Sequence, residues 1–369
     1  MSNGRRGALI IAVVVVIGVG LRAFLAVAFA GNFDESSFEL VADIERRGGN
    51  VFLETSRYNY TPLWALLLHG FDLVAIRLDV PLHAVVRSAL TIVDVVNAAL
   101  IGLIALRATG RDPGRAFASY LLNPVAILVV GYHGQFETLA ALPLLAAMAL
   151  DARGASRWLL GTLSLVVKHI FAFQVWLLYV YGYRPIRATL LFALTGATFI
   201  ATFIPYLPEG GPGIVRNVFG YSGLHGFYGL SSVLSSDLAA AVCIATLAAL
   251  PLAARRLGLD LPRCMRLSSV AMLAVIYGIG EQYFLIPILF AAPFGGRWYW
   301  IYSLVATLFL LASPNNVHLI DLPPLWNVVW VVALAWTASL AIDAARGRGR
   351  GMMGMDTSSV PPSAVPNAH

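Results

Sequence analysis

Polar positions are rare along this chain and come in short clusters between long apolar runs. Residues 8–30 are apolar apart from Arg22, long enough to cross the ~30 Å hydrocarbon layer, and preceded by Arg5 and Arg6. They predict a membrane anchor and not a cleaved leader, because the run exceeds a secretory h-region and many like it follow. Residues 31–62 form the first polar stretch. Within it Phe38, Val41 and Ile44 recur at helical spacing, with Glu39, Asp43, Glu45, Arg46 and Arg47 in the other positions, which predicts a short amphipathic helix on the membrane surface. Ser36 and Glu39 have the spacing of a capping box at its start. An aromatic, turn-rich run, Arg57-Tyr58-Asn59-Tyr60-Thr61-Pro62, leads back into apolar sequence.

Further apolar runs occupy 63–78, 86–106, 116–130, 138–150, 158–167, 170–181, 188–207, 238–253, 267–279, 283–293, 298–312 and 328–342. Several fall short of the ~20 residues of a free-standing span, which predicts broken or tilted helices around a polar cavity. With 8–30 there are thirteen runs, yet Arg346, Arg348 and Arg350 make the far end as basic as the first, and an odd number of crossings cannot leave both ends inside. Run 63–78, which carries His69, Asp72 and Arg77, is therefore expected to re-enter and not to cross. The other repair, 158–181 as one span with Lys168 at its middle, would expose Arg107, Arg111, Arg115, Arg153 and Arg157 outside, against the positive-inside rule. In the preferred topology 17 of the 25 Lys and Arg are cytoplasmic, while 14 of the 19 Asp and Glu lie outside or within the membrane. The polar clusters at Asp34, at 133–137, at Lys168-His169, at His225, at Glu281-Gln282 and at His318/Asp321 then all reach the outer face.

Composition agrees with this pattern. A chain of 369 residues that is 59% hydrophobic and 12% charged cannot cover a soluble surface with polar side chains. The expected fold is all-α, a polytopic integral membrane protein of about 11–13 transmembrane or re-entrant helices with a surface helix in the first outer loop. Residues 1–345 make the membrane domain; residues 346–369, rich in Gly, Ser and Pro, are expected to be a disordered cytoplasmic tail. The net charge of +6 sits in short loops as a topology signal, and no nucleic-acid signature accompanies it. Cys243 and Cys264 lack metal-ligand spacing, no Asp-x-Asp occurs and no glycine-rich nucleotide loop follows a strand, so neither a metal nor a cofactor is expected.

Candidate chemistry begins with Asp34, a loop carboxylate at the membrane edge able to take a proton from an attacking hydroxyl, with Glu35 beside it. In the 133–137 cluster, His133, Gln135 and Glu137 have the donors and acceptors to hold sugar hydroxyls, although the same run would also make a helix-terminating turn. Lys168, the only lysine, lies between two apolar runs where an unpaired charge is costly; it needs a ligand phosphate, with His169 as an added donor, or a salt bridge to Glu137 or Glu281. Arg57 and Arg216 are outer-side arginines suited to phosphate or to lipid headgroups. Glu281 and Gln282 are intramembrane polar candidates, and His225 sits in an aromatic, glycine-rich loop with the makings of a cover for a bound sugar. His318 and Asp321 form a weaker pair, and His69, His83, Asp72 and Asp94 read as packing or interfacial residues.

Taken in order, these pieces resemble the GT-C superfamily of membrane glycosyltransferases. Asp34 is placed like the family's catalytic acid. Tyr58-Asn59-Tyr60-Thr61-Pro62-Leu63 is similar to the Tyr-x-Tyr-[Ser/Thr]-Pro and Tyr-Pro-Pro-Leu segments of the GPI mannosyltransferases and the dolichyl-phosphate-glucose-dependent glucosyltransferases. Asn123-Pro124 with His133-Gly134-Gln135-Phe136 resembles the glucosyltransferases' His-Gly-His-Phe motif, and Lys168-His169 stands where those enzymes have Lys-Gln. Gln135 replaces a histidine, one proline is missing and the mannosyltransferase Asp-x-Asp is absent, so the motifs do not assign the sugar. The resemblance implies a polyprenyl-phosphate hexose donor, a glycan or lipid-linked acceptor at the non-cytoplasmic face, inverting transfer with Asp34 as base, and Tyr58 and Tyr60 among the substrate contacts. A lipid or small-molecule transporter or flippase is the competing expectation, since it too has broken helices and buried charges, but no internal repeat supports it.

Overall fold

The computed structural model describes residues 3–353 except 30, 222, 224–227, 314–315 and 323–325. Among the described residues the chain is helical without a strand. The helices are α1 (Asn3–Ala28), α2 (Phe33–Arg46), α3 (Val51–Glu54), α4 (Pro62–Leu78), α5 (Leu82–Thr109), α6 (Pro113–Leu121), α7 (Pro124–Gly131), α8 (Glu137–Ala149), α9 (Gly154–Val167), α10 (Ala172–Gly182), α11 (Pro185–Ala201), α12 (Leu207–Ile214), α13 (Ser236–Arg256), α14 (Leu261–Val275), α15 (Leu285–Ala291), α16 (Arg297–Ala312) and α17 (Trp326–Met353). Five stretches are long and apolar enough to cross a membrane, and six if α6 and α7, bent by 49° at Asn123-Pro124, act as one span. This is a multi-pass membrane protein. The shorter apolar helices survive because neighbours cover them: α8, at about 1.5 Å per residue only some 20 Å long, buries nine of its thirteen residues and leaves none fully exposed.

Sequence dictates where the helices break. Asp112 and Asn123 cap α6 and α7 through their side chains, each followed by a proline at the first helical position. Asp79 and Gly110 end α4 and α5 in the left-handed region, where their N–H groups return to the last turns. Side chains then tie loops to one of two ends. At the basic end Arg107 donates to the Ala149 carbonyl, Arg255 to Val180, Tyr183 to Gly154 and Tyr181 to Leu259. At the opposite end Arg87 donates to the carbonyls of Leu25, Ala26 and Phe29, Thr61 to Val167, Asn50 to Tyr206 and Tyr132 to Asn316.

Those contacts fix the course of α4. Its first turn is held at Val167 and the start of α5 at the end of α1, so both ends of α4 lie at one end of the bundle and the helix does not cross. Run 63–78 behaves as expected. The surface helix differs in detail: α2 starts at Phe33 and its cap is Asn32, whose side chain accepts from the N–H groups of Asp34 and Glu35, while the Ser36 hydroxyl donates to the Phe33 carbonyl. Phe38, Val41 and Ile44 are buried, but against α4. It is α4 that leaves Leu66, Leu73, Ile76 and Leu78 exposed. The tail boundary also moves: α17 continues to Met353, past the expected break at 346, and 354–369 lie outside the described residues.

One apolar-run arginine has a purpose that periodicity did not reveal. Arg22 in α1 is fully buried, pairs with Asp94 of α5 at 2.7 Å and donates to the Leu121 carbonyl left free at the α6–α7 break, while Tyr120 donates to the second Asp94 oxygen. Asp94 is thus a packing residue of the strictest kind, since either charge alone would be uncompensated in the core.

Candidate functional site

At the second end four elements meet: the first turn of α2, the 133–137 turn, the α9–α10 junction and the segment leading into α15. Gly134 has φ of +62°, and a Cβ there would come within 2.5 Å of a Glu35 oxygen, so the turn needs glycine to approach α2. That approach brings Gln135 Nε2 to Asp34 Oδ2 at 2.7 Å and His133 Nε2 to the same oxygen at 3.2 Å. The Asp34 carboxylate remains about one-third exposed (31%). Burial pushes its pKa up, but the His133 hydrogen bond and charge, the Lys168 charge and the Gln135 bond outweigh this and hold it below the ordinary aspartate value. Asp34 is an anion with one oxygen engaged.

Behind it lies a second layer. Lys168 Nζ donates to Glu137 Oε1 at 2.6 Å and to Gln135 Oε1 at 3.3 Å, above the faces of Phe136 (4.2 Å) and Tyr60 (5.0 Å). Phe136 in turn stacks on Trp64 of α4 at 3.9 Å with 13° between planes. Gln135 is therefore held from both sides: its oxygen by the lysine, its nitrogen by Asp34. Lys168 is 2% exposed and does not line the cavity; of its two expected partners, a ligand phosphate or a carboxylate, the structure has the carboxylate, Glu137.

The cavity in front of Asp34 has a volume of about 560 Å³. Of the residues singled out from sequence, Asp34, Arg57, Tyr60, His133, Arg216, Glu281 and Gln282 line it. Arg57 is fixed by Phe33, donating to its carbonyl and stacking on its ring, and by the Ser36 hydroxyl. Glu281 accepts from Ser313 at 2.5 Å and from Asn316 at 3.4 Å. A second, mainly apolar groove of about 250 Å³ shares Tyr221 and Gly223 with the cavity and runs along Phe173, Leu247, Met272 and Ile276.

Several expected substrate contacts lie elsewhere. Glu35 is held in a fork by Arg87, at 2.5 and 2.6 Å, and is walled off from the cavity; it anchors the first turn of α2 to α1 and α5. Tyr58 is buried, its hydroxyl donating to the Thr61 carbonyl at 2.5 Å. Gln135 and Glu137 stand in the layer behind Asp34. His169 faces the apolar groove beside Phe199 and not the polar cavity. His318 and Asp321 are exposed and do not line the cavity, and His225 lies outside the described residues. Asn59, Asn217 and Tyr221 were missed: each lines the cavity, but isolated amides and a loop tyrosine carry no spacing that marks them.

Among the described residues, no three His, Cys, Asp or Glu side chains gather where they could hold a metal ion. The site's own chemistry is the free oxygen of Asp34, a second carboxylate at Glu281, two arginines and neutral donors around a polar chamber, with an apolar groove adjoining it at Tyr221 and Gly223. Comparison of the chain with protein-family models, with curated proteins and with solved structures gave no match.

Proposed function

We propose that the protein is a glycosyltransferase resembling the GT-C superfamily, which moves a hexose, mannose or glucose, from a polyprenyl-phosphate carrier to an acceptor hydroxyl with inversion at the anomeric carbon. The observation that carries the proposal is Asp34: an ionised, partly exposed carboxylate with one oxygen held by Gln135 and His133 and facing a polar chamber that shares Tyr221 and Gly223 with a neighbouring apolar groove. A lipid-linked sugar has the same division into a polar head and an apolar chain. The arginines gathered at the opposite end favour a cytoplasmic orientation for that end, in a bacterial cell the cytosolic side of the inner membrane, and so an outward-facing site.

In the proposed reaction the acceptor O–H gives its proton to the free oxygen of Asp34 as its oxygen bonds to the anomeric carbon. The carbon–oxygen bond to the carrier breaks on the opposite face, and the electron pair leaves on the carrier phosphate. That phosphate is already a competent leaving group, so positioning and charge stabilisation supply most of the rate. Arg216 and Arg57, the cavity's arginines, are the candidates for holding it, in place of the enclosed Lys168. Purified protein is incubated with radiolabelled polyprenyl-phosphate mannose or glucose and release of carrier phosphate is followed. Wild type should release it and Asp34→Asn should not, with expression and carrier binding retained. Turnover in Asp34→Asn removes Asp34 from its role, and no release with any donor favours transport.

A further inference from the structure

At the basic end, far from Asp34, a cavity of about 370 Å³ opens between the α13–α14 turn, the first turns of α14 and residues 340–344 of α17. Its walls carry opposite charges: Arg263 and Arg266 from α14, Asp343 from α17. Arg266 lies over the Phe294 ring at 4.3 Å, with its Nε buried and without a hydrogen-bond partner. A buried guanidinium N–H lacking an acceptor is costly, and native proteins rarely leave one so. Asp343 is the acid across from it, yet no ion pair closes between them within 4.0 Å among the described residues. Arg263 is paired with Asp260, its helix cap, so Asp260 acts on Arg266 only through its charge, without a hydrogen bond.

We propose that this cavity binds a phosphate–ammonium zwitterion, the phosphoethanolamine group. The phosphate lies against the part of the Arg266 guanidinium that lines the cavity, with Arg263 at the rim, and the ammonium lies against Asp343. A purely anionic group would meet Asp343 unscreened, and a quaternary ammonium would offer it no N–H donor. Leu257, Leu259, Leu267 and Leu340 complete the lining and suit the glycerol and first methylenes of a lipid. Basic pockets between helices at a membrane's cytoplasmic side commonly hold lipid headgroups, and the added acid narrows the class here.

The full-length protein in detergent is exposed to phosphatidylethanolamine, phosphatidylglycerol or phosphatidylcholine of matched chains, and bound lipid is counted by native mass spectrometry. Retention of phosphatidylethanolamine about tenfold above the other two is the expected result. Arg266→Gln should remove that excess. Asp343→Asn should bring phosphatidylglycerol up to or above phosphatidylethanolamine, a reversal of preference that a folding defect does not produce. Soluble glycerophosphoethanolamine in a competing arm identifies the source: displacement of the lipid at millimolar concentration means that the headgroup alone suffices, and no displacement means that the acyl chain is needed. Equal retention of the three lipids by wild type, or selectivity unchanged in both variants, overturns the proposal.

Discussion

Replacing Lys168 by methionine tests the layer behind Asp34 most directly. The ammonium and the Glu137 carboxylate are 2.6 Å apart with side chains 2% and 0% exposed, so Lys168→Met leaves a carboxylate enclosed without its counter-charge. Breaking one side of a buried pair costs about 3–5 kcal/mol, and Glu137→Leu should cost a similar amount by stranding the ammonium. The double variant, Lys168→Met with Glu137→Leu, strands no charge and leaves only the Gln135 Oε1 without its donor; apolar replacement of a buried pair is often neutral. At roughly 2 °C per kcal/mol for a chain of this size, each single variant should lower the apparent melting midpoint by ~6–10 °C. The double variant should regain most of it. Tryptophan fluorescence in detergent at one fixed scan rate gives the comparison, since unfolding of such a protein is a rate-dependent quantity. Carrier-phosphate release on the same samples separates stability from function. The double variant should stay slow, because the Gln135 amide has lost the donor that orients it towards Asp34. A loss in the double variant equal to the sum of the two single losses would refute the pairing, and wild-type turnover in the double variant would refute any influence of Lys168 on Asp34.

Other expectations can be checked with the same preparations. Because the folded Asp34 pKa is lowered, its carboxylate is ionised throughout neutral and mildly acid pH, and any stability it contributes is lost only as pH falls through and below the ordinary value near 3.8. The acid limb of carrier-phosphate release should lie below that of an unperturbed aspartate and move upward in Gln135→Leu; a limb that does not move would show that the Gln135 bond has no effect. Arg216→Ala should raise the donor KM about tenfold, the loss of one charge-assisted contact, with kcat nearly unchanged, and an unaltered KM would remove Arg216 from the phosphate. Arg87→Met should cost about 3–5 kcal/mol by stranding Glu35, read as a lowered melting midpoint, and should lower kcat because the first turn of α2 loses its anchor.

Much of the fold was legible because hydrophobic runs and basic loops record membrane crossings residue by residue. Run 63–78 could be recognised as non-crossing from charge alone, and α4 follows it within a residue. The convergence of Asp34, His133, Gln135, Glu137, Lys168 and Glu281 on one end was likewise legible, since alternation of direction assigns every loop to a side. What the sequence did not disclose is which polar groups would be consumed by one another. Arg87 lies in an apolar run 52 positions from Glu35, and Arg22 stands 72 from Asp94, so no local pattern joins either pair. Glu35 and Tyr58 looked like substrate contacts for this reason. The partners that bury them are visible only in three dimensions.

The placement of the acids has a common physical cause. Asp34 occupies the first turn of α2, Glu137 that of α8, and Glu281 the 3₁₀ turn that leads into α15. Unpaired N–H groups and the helix dipole make each position favourable for an anion, so three carboxylates can meet at one end of a mostly apolar bundle. Lys168 sits between the C-terminus of α9, which favours a cation, and the 3₁₀ turn His169–Phe171 that opens α10, enclosed at 2% exposure. Glu137 offsets it, and the lysine's charge is passed through Gln135 to the carboxylate oxygen that is engaged, leaving the other open to the cavity.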